Sequence, residues 1–154
     1  MNLSLLAVGT ASRWVREGFE EYHRRLPHAF KPVVREVRQA KAAERLGGRI
    51  REAETQRLLD ASPQGAAIVL LDPEGELVTT EAWAGRLASW QASGRAVAFL
   101  IGGADGLAPD ARAEAEWVWS LSPLTFPHAF VRLIWIEQLY RAWTLLNHHP
   151  YHRA

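Results

Sequence analysis

Three loop-forming segments follow apolar runs of this chain and offer positions where a ligand can bind. They are Leu71-Asp72-Pro73-Glu74-Gly75, Ile101-Gly102-Gly103-Ala104-Asp105-Gly106 and Leu121-Ser122-Pro123-Leu124-Thr125-Phe126-Pro127. Ligands of an open α/β sheet bind beyond the carboxyl ends of its strands, and glycine there lets the backbone approach a ligand closely. The glycine spacing matches neither the dinucleotide fingerprint nor the phosphate-binding loop. Considered alone, it is also compatible with a plain tight turn.

Three histidines near the end of the chain, His148, His149 and His152, raise the question of a metal site. Metal ligation requires three or four convergent ligands with ordered support, and only a helix places residues four apart on one face. Pro150 argues against a regular helix there, so we expect no metal. Two interpretations stay open, a histidine-bearing tail of no chemical role and a polar tail that is carried into an active site.

Nucleophilic catalysis through sulfur or serine is not indicated. The chain has no cysteine, which excludes disulfides and thiolate metal clusters and is compatible with a cytoplasmic location. The serines form no nucleophile elbow and have no evident histidine and acid arrangement. The N-terminus has no basic stretch ahead of its apolar run, so it lacks the pattern of a signal peptide and is better interpreted as a first β-strand.

Positive charge is concentrated in the first part of the chain. Residues 1–60 carry 12 lysines and arginines against eight acidic residues, whereas residues 61–154 carry six against nine. All but two of the basic residues are arginine, which binds phosphate bidentately and stacks on bases. RNA or nucleotide binding explains this bias, and so does codon usage. The candidate phosphate contacts, for which a solvated helix face is the alternative, are Arg13, Arg16, Arg24, Arg25, Lys31, Arg35 and Arg38.

Alternating strand and helix patterns predict an α/β fold with a mostly parallel sheet in a single domain, residues 1–154. The predicted strands are residues 3–8, 33–37, 65–72, 95–101 and 117–121. The predicted helices are residues 12–26, 42–61, 79–92, a short helix with Pro109 in its first turn, and 128–146. Ser12 is the predicted cap of the first helix, and the second has an interruption or weak point at Gly47-Gly48. The third has a threonine cap and Gly94 as its stop signal.

The last predicted helix is apolar around most of its circumference. Such a helix needs two packing partners, and we expect one to be its own sheet and the other a second subunit. Charged residues inside it make a membrane span a poor interpretation. Glu137 and Arg141, four residues apart, are expected to form an intrahelical ion pair.

Several motifs taken together resemble those of the SPOUT-class methyltransferases. They are LLAVGT at 5–10, WVREGFEEYHRRLP at 14–27, IGGADGL at 101–107, SLSPLTFPHAFVR at 120–132, EQLYRAW at 137–143 and NHHPYHR at 147–153. Within that class the chain is most similar to the family of large-subunit ribosomal RNA pseudouridine N3-methyltransferases, and the similarity runs nearly from end to end.

The resemblance implies a SPOUT-like α/β domain with a C-terminal trefoil knot, a homodimer that completes each active site, and S-adenosyl-L-methionine as methyl donor. By the same resemblance Leu71 contacts the cofactor and the backbone of Gly103 lines its pocket. The remaining implied contacts are Ser122, Pro123, Leu124, Thr125, Phe126 and Pro127. Many members of the family have Pro-Glu where this chain has Ala104-Asp105, so the role of that acid is open.

The implied reaction is methylation of N3 of a pseudouridine in 23S ribosomal RNA within the assembled ribosome. The N3 proton must leave before or during attack on the methyl group. The candidate catalytic residues are Tyr151, His152 and Arg153, with Arg153 stabilising the imide anion and His152 accepting the proton, and an anchoring role alone is equally compatible. Two other classes remain open, an enzyme acting on a different RNA or small molecule and a ribosome assembly factor without catalysis.

Overall fold

A computed structural model describes residues 2–41, 43 and 49–153 of the chain. The strands are β1 (Leu3–Val8), β2 (Val33–Val37), β3 (Ala67–Leu77), β4 (Val97–Ile101) and β5 (Trp117–Ser120). The helices are α1 (Arg13–His23), α2 (Ile50–Ala61), α3 (Thr80–Ser93), α4 (Ala111–Glu114) and α5 (His128–Leu146), with short 3-10 helices at His28–Phe30 and Pro150–His152.

The five strands form one sheet in the order β2-β1-β4-β3-β5, and every pair is parallel. The α/β prediction is therefore confirmed. All residues of β1 and β4 are buried, which fits continuous apolar strands covered on both faces. Because all strands run the same way, their carboxyl ends and the loops that follow them meet at one edge of the sheet.

Alternate residues of each strand face two different helical layers. On one face Leu5 and Phe99 pack with the aromatic residues of α3 and α5, and the ring centroids of Phe99 and Trp135 lie 5.2 Å apart. On the other face Leu6 packs with Leu58 of α2. The sheet is thus buried between α1, α3 and α5 on one side and α2 and α4 on the other.

The prediction that the third strand ends at Asp72 is wrong. Leu71 and Glu76 both pair with Trp119 of β5, so the chain bulges outward between them and then resumes pairing through Leu77. Pro73 has no N–H for a sheet ladder, which makes this a natural place for a bulge. The segment still projects from the carboxyl edge of the sheet, where a loop was predicted.

Helix α3 shows both predicted end signals. Thr79 Oγ1 accepts the N–H of Ala82 at 3.1 Å, and Gly94 ends the helix with a φ of +66°. At α1 the prediction is partly wrong, because Ser12 occupies the N-cap position without a side-chain hydrogen bond and the helix ends at His23.

Two further boundaries differ from prediction. Pro109 precedes α4 rather than lying in its first turn, since the helix begins at Ala111. Of the helix predicted over 42–61, α2 covers Ile50–Ala61, and the predicted weak point at Gly47-Gly48 lies outside the described residues.

Helix α5 has the predicted bounds, and it packs between α1 and α3 on the sheet. Helices of the same chain thus cover part of its circumference, whereas Phe130 is exposed and Leu133 and Ile134 are only half-buried, so the second subunit stays a prediction. Within the described ranges, no helix combines the length and apolar character needed to cross a membrane.

Candidate functional site

A cleft opens at the carboxyl edge of the sheet, where the bulge of β3 and the loops after β4 and β5 converge. Its main cavity has a volume of about 370 Å³. A smaller cavity of about 50 Å³ adjoins it, and the two share Leu71, Asp72, Pro73, Phe126 and Val131 as walls. Loops distant in sequence thus form one continuous recess.

The structure brings together seven of the eight residues implied as cofactor contacts. Those on the main cavity are Leu71, Gly103, Thr125, Phe126 and Pro127. Those on the smaller cavity are Ser122 and Leu124. Pro123 lines neither cavity and is exposed. Gathering these residues in a cleft makes the assignment geometrically reasonable.

The loop after β4 closes tightly on itself, and this explains its glycines. A Cβ on Gly102 would lie 2.7 Å from the carbonyl carbon of Gly106, a distance that real side chains do not tolerate. The N–H of Gly106 donates to the carbonyl of Gly103 at 3.0 Å, which holds the turn together. The loop therefore presents backbone rather than side chains to the cleft.

The loop after β5 is held by its own serines. Ser120 Oγ donates to the carbonyl of Ser122 at 2.9 Å, and Ser122 Oγ accepts the N–H of Leu124 at 2.9 Å. Preformed recesses of several hundred Å³ with mostly apolar walls and a few fixed polar groups are typical of small-molecule sites. The residues present fit a small organic ligand that is held by apolar walls and backbone groups.

Two buried polar residues of α2 support the loop after β4, and sequence reasoning missed both. Thr55 Oγ1 accepts the N–H of Ala108 at 2.9 Å, and Glu54 lies against Gly103. Both are only 3% exposed. The sequence gives no signal for them, because they occur in a charged helix whose few apolar residues predict that most of it faces solvent.

Arg132 is a third residue whose role the sequence analysis did not identify. Its guanidinium is buried and donates to the carbonyls of Gly9 at 2.8 Å and Val8 at 3.3 Å. It also donates to Glu36 Oε2 at 2.5 Å, and that carboxylate accepts the N–H of Ala11. Arg132 thereby fixes the start of α5, next to the cleft, to the ends of β1 and β2.

The C-terminal tail folds back against α5 and α1. The hydroxyl of Tyr151 donates to Glu137 Oε1 at 3.0 Å, and its ring centroid lies 4.6 Å from that of Tyr140. Arg141 donates to Glu137 at 2.7 Å, which confirms the predicted intrahelical pair, and its guanidinium lies 5.1 Å from the centroid of the Tyr151 ring. The tail is docked on an aromatic and ionic surface.

This docking has electrostatic consequences. Burial raises the pKa of the Tyr151 phenol, and its hydrogen bonds to Tyr22 and Glu137 raise it further. The hydrogen bond to Glu137 raises the pKa of Arg141. Tyr151 therefore stays protonated at neutral pH and does not serve there as a base.

The other two candidate catalytic residues differ in exposure. His152 is half-buried, and its Nδ1 is buried without a hydrogen-bond partner among the described residues. Arg153 is exposed. Arg153 is therefore available to a group that approaches the tail from outside the chain, whereas Nδ1 of His152 is not.

The tail and the cleft of one chain lie apart. Tyr151 contacts Glu137, which is six residues beyond Val131 at the cleft, and six residues span about 9 Å along a helix. No tail residue within the described ranges lines either cavity of the cleft. A single chain does not join its candidate catalytic residues to its candidate cofactor residues.

The candidate phosphate contacts are spread over the surface and partly paired. Arg24 and Arg25 both contact Glu21, whose pKa is lowered chiefly by the hydrogen bond from Arg25. Arg13 pairs with Glu17. The geometry is that of a solvated helix face with excess positive charge, and it neither requires nor opposes RNA contact.

The histidines of the tail do not converge. His149 Nδ1 accepts the N–H of Tyr151 at 3.1 Å, so this ring caps the last turn of the chain. In the part of the chain that the structure describes, no group of three histidine, cysteine or acidic side chains is arranged to hold a metal ion.

Comparison with known proteins adds independent information. The family model described as predicted SPOUT methyltransferase matches residues 1–152. The ribosomal RNA large subunit methyltransferase H of Paraburkholderia xenovorans (strain LB400) is 50% identical over 160 residues, and the protein of that name from Burkholderia cenocepacia (strain HI2424) is 47% identical, with 100% of each chain covered in both cases. The crystal structure of TrmJ from Z. mobilis ZM4 superposes with a TM-score of 0.56 at 12% identity, covering 94% of this chain and 71% of that one, which is a likeness of fold.

Proposed function

Since this chain belongs to the SPOUT methyltransferase family, whose methyl donor is S-adenosylmethionine, we propose that it methylates ribosomal RNA at N3 of a pseudouridine in the 23S molecule. The observation that carries the proposal is the convergence of the β3 bulge and the loops after β4 and β5 on one cleft. Full-length relatives named ribosomal RNA large subunit methyltransferase H support the choice of RNA.

The cleft has the properties that positioning a methyl donor requires. Leu71 and Phe126 supply apolar walls, and Gly103 supplies backbone. When bound there, S-adenosylmethionine supplies an electrophilic methyl group on a cationic sulfur. Fixing that methyl carbon about 3 Å from the attacking nitrogen accounts for much of the expected acceleration.

The transfer forms a bond between the methyl carbon and N3 and breaks the bond between that carbon and sulfur. The electron pair of the broken bond stays on sulfur, which becomes a neutral thioether, and the N3 proton leaves to a base. We assign proton acceptance to His152 and stabilisation of the imide anion to Arg153. Tyr151 positions the tail through Glu137 and remains protonated.

A dimer resolves the separation between tail and cleft. About 9 Å of helix lies between Val131 at the cleft and Glu137, which Tyr151 contacts, and no described tail residue lines the cleft. A tail from a second copy would complete each site. We therefore propose a homodimer in which each cleft receives the partner's tail. We also propose that the segment after β5 is threaded as a trefoil knot; its residues Thr125 and Phe126 line the same cavity as Leu71 and Gly103.

Substrate recognition is proposed to depend on a preformed RNA shape. A chain of 154 residues devoted to one α/β fold has little surface with which to read a long sequence. The assembled ribosome, in the cytoplasm, presents such a shape. Arginines of α1 are proposed to contact its phosphates.

The proposal is tested by incubating the protein with isotopically labelled S-adenosylmethionine and ribosomes from cells that lack this modification, followed by mass spectrometry of the RNA. We expect one labelled methyl group on a pseudouridine N3 of 23S RNA. Label elsewhere in the RNA would reject the assigned substrate. Cofactor binding without any RNA label would favour another substrate, and absence of cofactor binding would favour a non-catalytic assembly factor.

A further inference from the structure

Glu54 carries a buried carboxyl oxygen that has no donor. Its side chain lies in α2, and the residue is only 3% exposed. Oε2 accepts the N–H of Ala40 at 2.9 Å, while Oε1 has no hydrogen-bond partner among the residues that the structure describes. An unpaired buried polar atom normally costs stability, so its presence needs an explanation.

The unpaired oxygen is directed at the candidate cofactor cleft. A Cβ on Gly103 would lie 2.8 Å from Glu54 Oε1, so the carboxyl packs directly behind this glycine. Gly103 also lines the main cavity. Gly103 therefore lies next to both the carboxyl oxygen and the main cavity.

The charge of Glu54 is not offset by an ion pair within the described residues, whereas Asp72, the acidic residue that lines the main cavity, lies 3.9 Å from Arg112. A protein interior with few polar groups screens charge less than water does. The carboxylate of Glu54, which lies against Gly103, therefore favours a cation in the cleft. The neighbouring Thr55 supports the same loop through Ala108 without carrying a charge.

We infer that Glu54 is a specificity-determining residue that makes the cleft prefer the cationic methyl donor to its uncharged-sulfur product. This inference rests on the proposed function. S-adenosylmethionine and S-adenosylhomocysteine differ by one methyl group and one positive charge on sulfur. Once the methyl group has left, the attraction to Glu54 is lost, and product release is favoured over release of unreacted donor.

The test measures dissociation constants for both ligands by isothermal titration calorimetry, using the full-length wild type, Glu54→Gln and the matched control Thr55→Val. Glu54→Gln preserves shape and removes the charge, so we expect donor affinity to fall about tenfold while product affinity changes by less than about twofold. Thr55→Val loosens the other end of the loop without a charge change. It should weaken both ligands by a similar factor.

The ratio of the two dissociation constants distinguishes an electrostatic effect of Glu54 on the ligand from a purely structural effect of Glu54 on the loop after β4. An equal loss for both ligands in Glu54→Gln, or no loss for either, would overturn the inference. Glu54→Asp, which keeps the charge and withdraws it by one methylene, should retain most of the preference and serves if Glu54→Gln folds poorly. Failure of the wild type to bind either ligand would instead contradict the proposed function.

Discussion

At the scale of single residues, Tyr151 shows how the docked tail changes the chemistry of a side chain. Its phenol pKa is raised by burial and by hydrogen bonds to Tyr22 and Glu137. Because the folded-state pKa lies above the ordinary value of about 10, docking contributes stability that is complete below that pH and is lost as the pH rises through the raised value.

We therefore expect Tyr151 to ionise at higher pH than an unperturbed tyrosine. An alkaline titration followed by phenolate absorbance should show a late component in the wild type, and Tyr151→Phe should lack it. Unfolding at the end of the titration should be monitored by circular dichroism as the control. If Tyr151→Phe instead loses a titration step at the pH of an unperturbed tyrosine, the Tyr151 side chain is not docked in solution.

Replacement of Arg132 should lower the free energy of unfolding strongly. Its buried guanidinium pairs with Glu36 and caps two strand-end carbonyls. Arg132→Met leaves those groups unpaired, so we expect the free energy of unfolding to fall by about 3 kcal/mol or more. Chemical denaturation measures this loss, and Arg141→Met on the same helix, where the ion pair is more exposed, is the control. Equal losses in the two variants would contradict the role given to Arg132.

At the scale of elements, the N-cap residues of two helices, Ser12 of α1 and Thr79 of α3, can be compared directly. Thr79 makes a side-chain hydrogen bond to the N–H of Ala82, and Ser12 makes none. We expect Thr79→Ala to reduce the free energy of unfolding by about 1 kcal/mol and Ser12→Ala to leave it nearly unchanged. Urea unfolding of the two variants tests this, and the reverse order of effects would show that the cap geometry is assigned wrongly.

The two arginines that follow helix α1 carry the prediction on RNA. Charge reversal at Arg24 and Arg25 should weaken binding to ribosomal RNA and reduce its salt dependence, because fewer phosphates are neutralised. Cofactor affinity should stay unchanged, since these side chains lie outside the cleft. The matched control reverses Arg86 and Arg95, two arginines outside the candidate phosphate contacts. If the variant with reversed Arg24 and Arg25 binds RNA as well as the wild type does, these side chains only form a solvated surface and do not contact RNA.

The elements themselves were largely predictable, and the exceptions have physical causes. Apolar runs bounded by glycine and proline define β1 and β4 because a parallel sheet buries both faces of its strands. The extension of β3 past Pro73 was not predictable, since it depends on pairing with β5, which local sequence does not report. Glycine signals placed the loop at Gly102-Gly103 correctly because sterics there permit no side chain.

The candidate site was less predictable than the fold. Loop residues could be proposed from glycine, proline and strand ends. Glu54 and Arg132 could not, because a charged residue in a polar helix gives the same pattern whether it faces solvent or a buried loop. Position in space, which depends on the whole sheet, decides their roles.

At the scale of the whole molecule, the distance between tail and cleft leads to a prediction about two chains. Phe126→Asp is expected to disable the cleft, and a variant with alanine at His152 and Arg153 is expected to disable the tail. If each site combines one chain's cleft with the partner's tail, each variant alone is inactive. Light scattering should first show that both remain dimeric, with twice the mass of one chain.

Mixing the two inactive variants should then restore activity. Random exchange of equal amounts places one of each in half of the dimers, and one of the two sites in such a dimer combines an intact cleft with an intact tail, giving roughly a quarter of wild-type methylation. A chain that carries both sets of changes, assayed alone, gives the reference value for zero methylation activity. If tail and cleft acted within one chain, every site in the mixture would stay defective, so the absence of recovery after verified exchange would contradict the shared site.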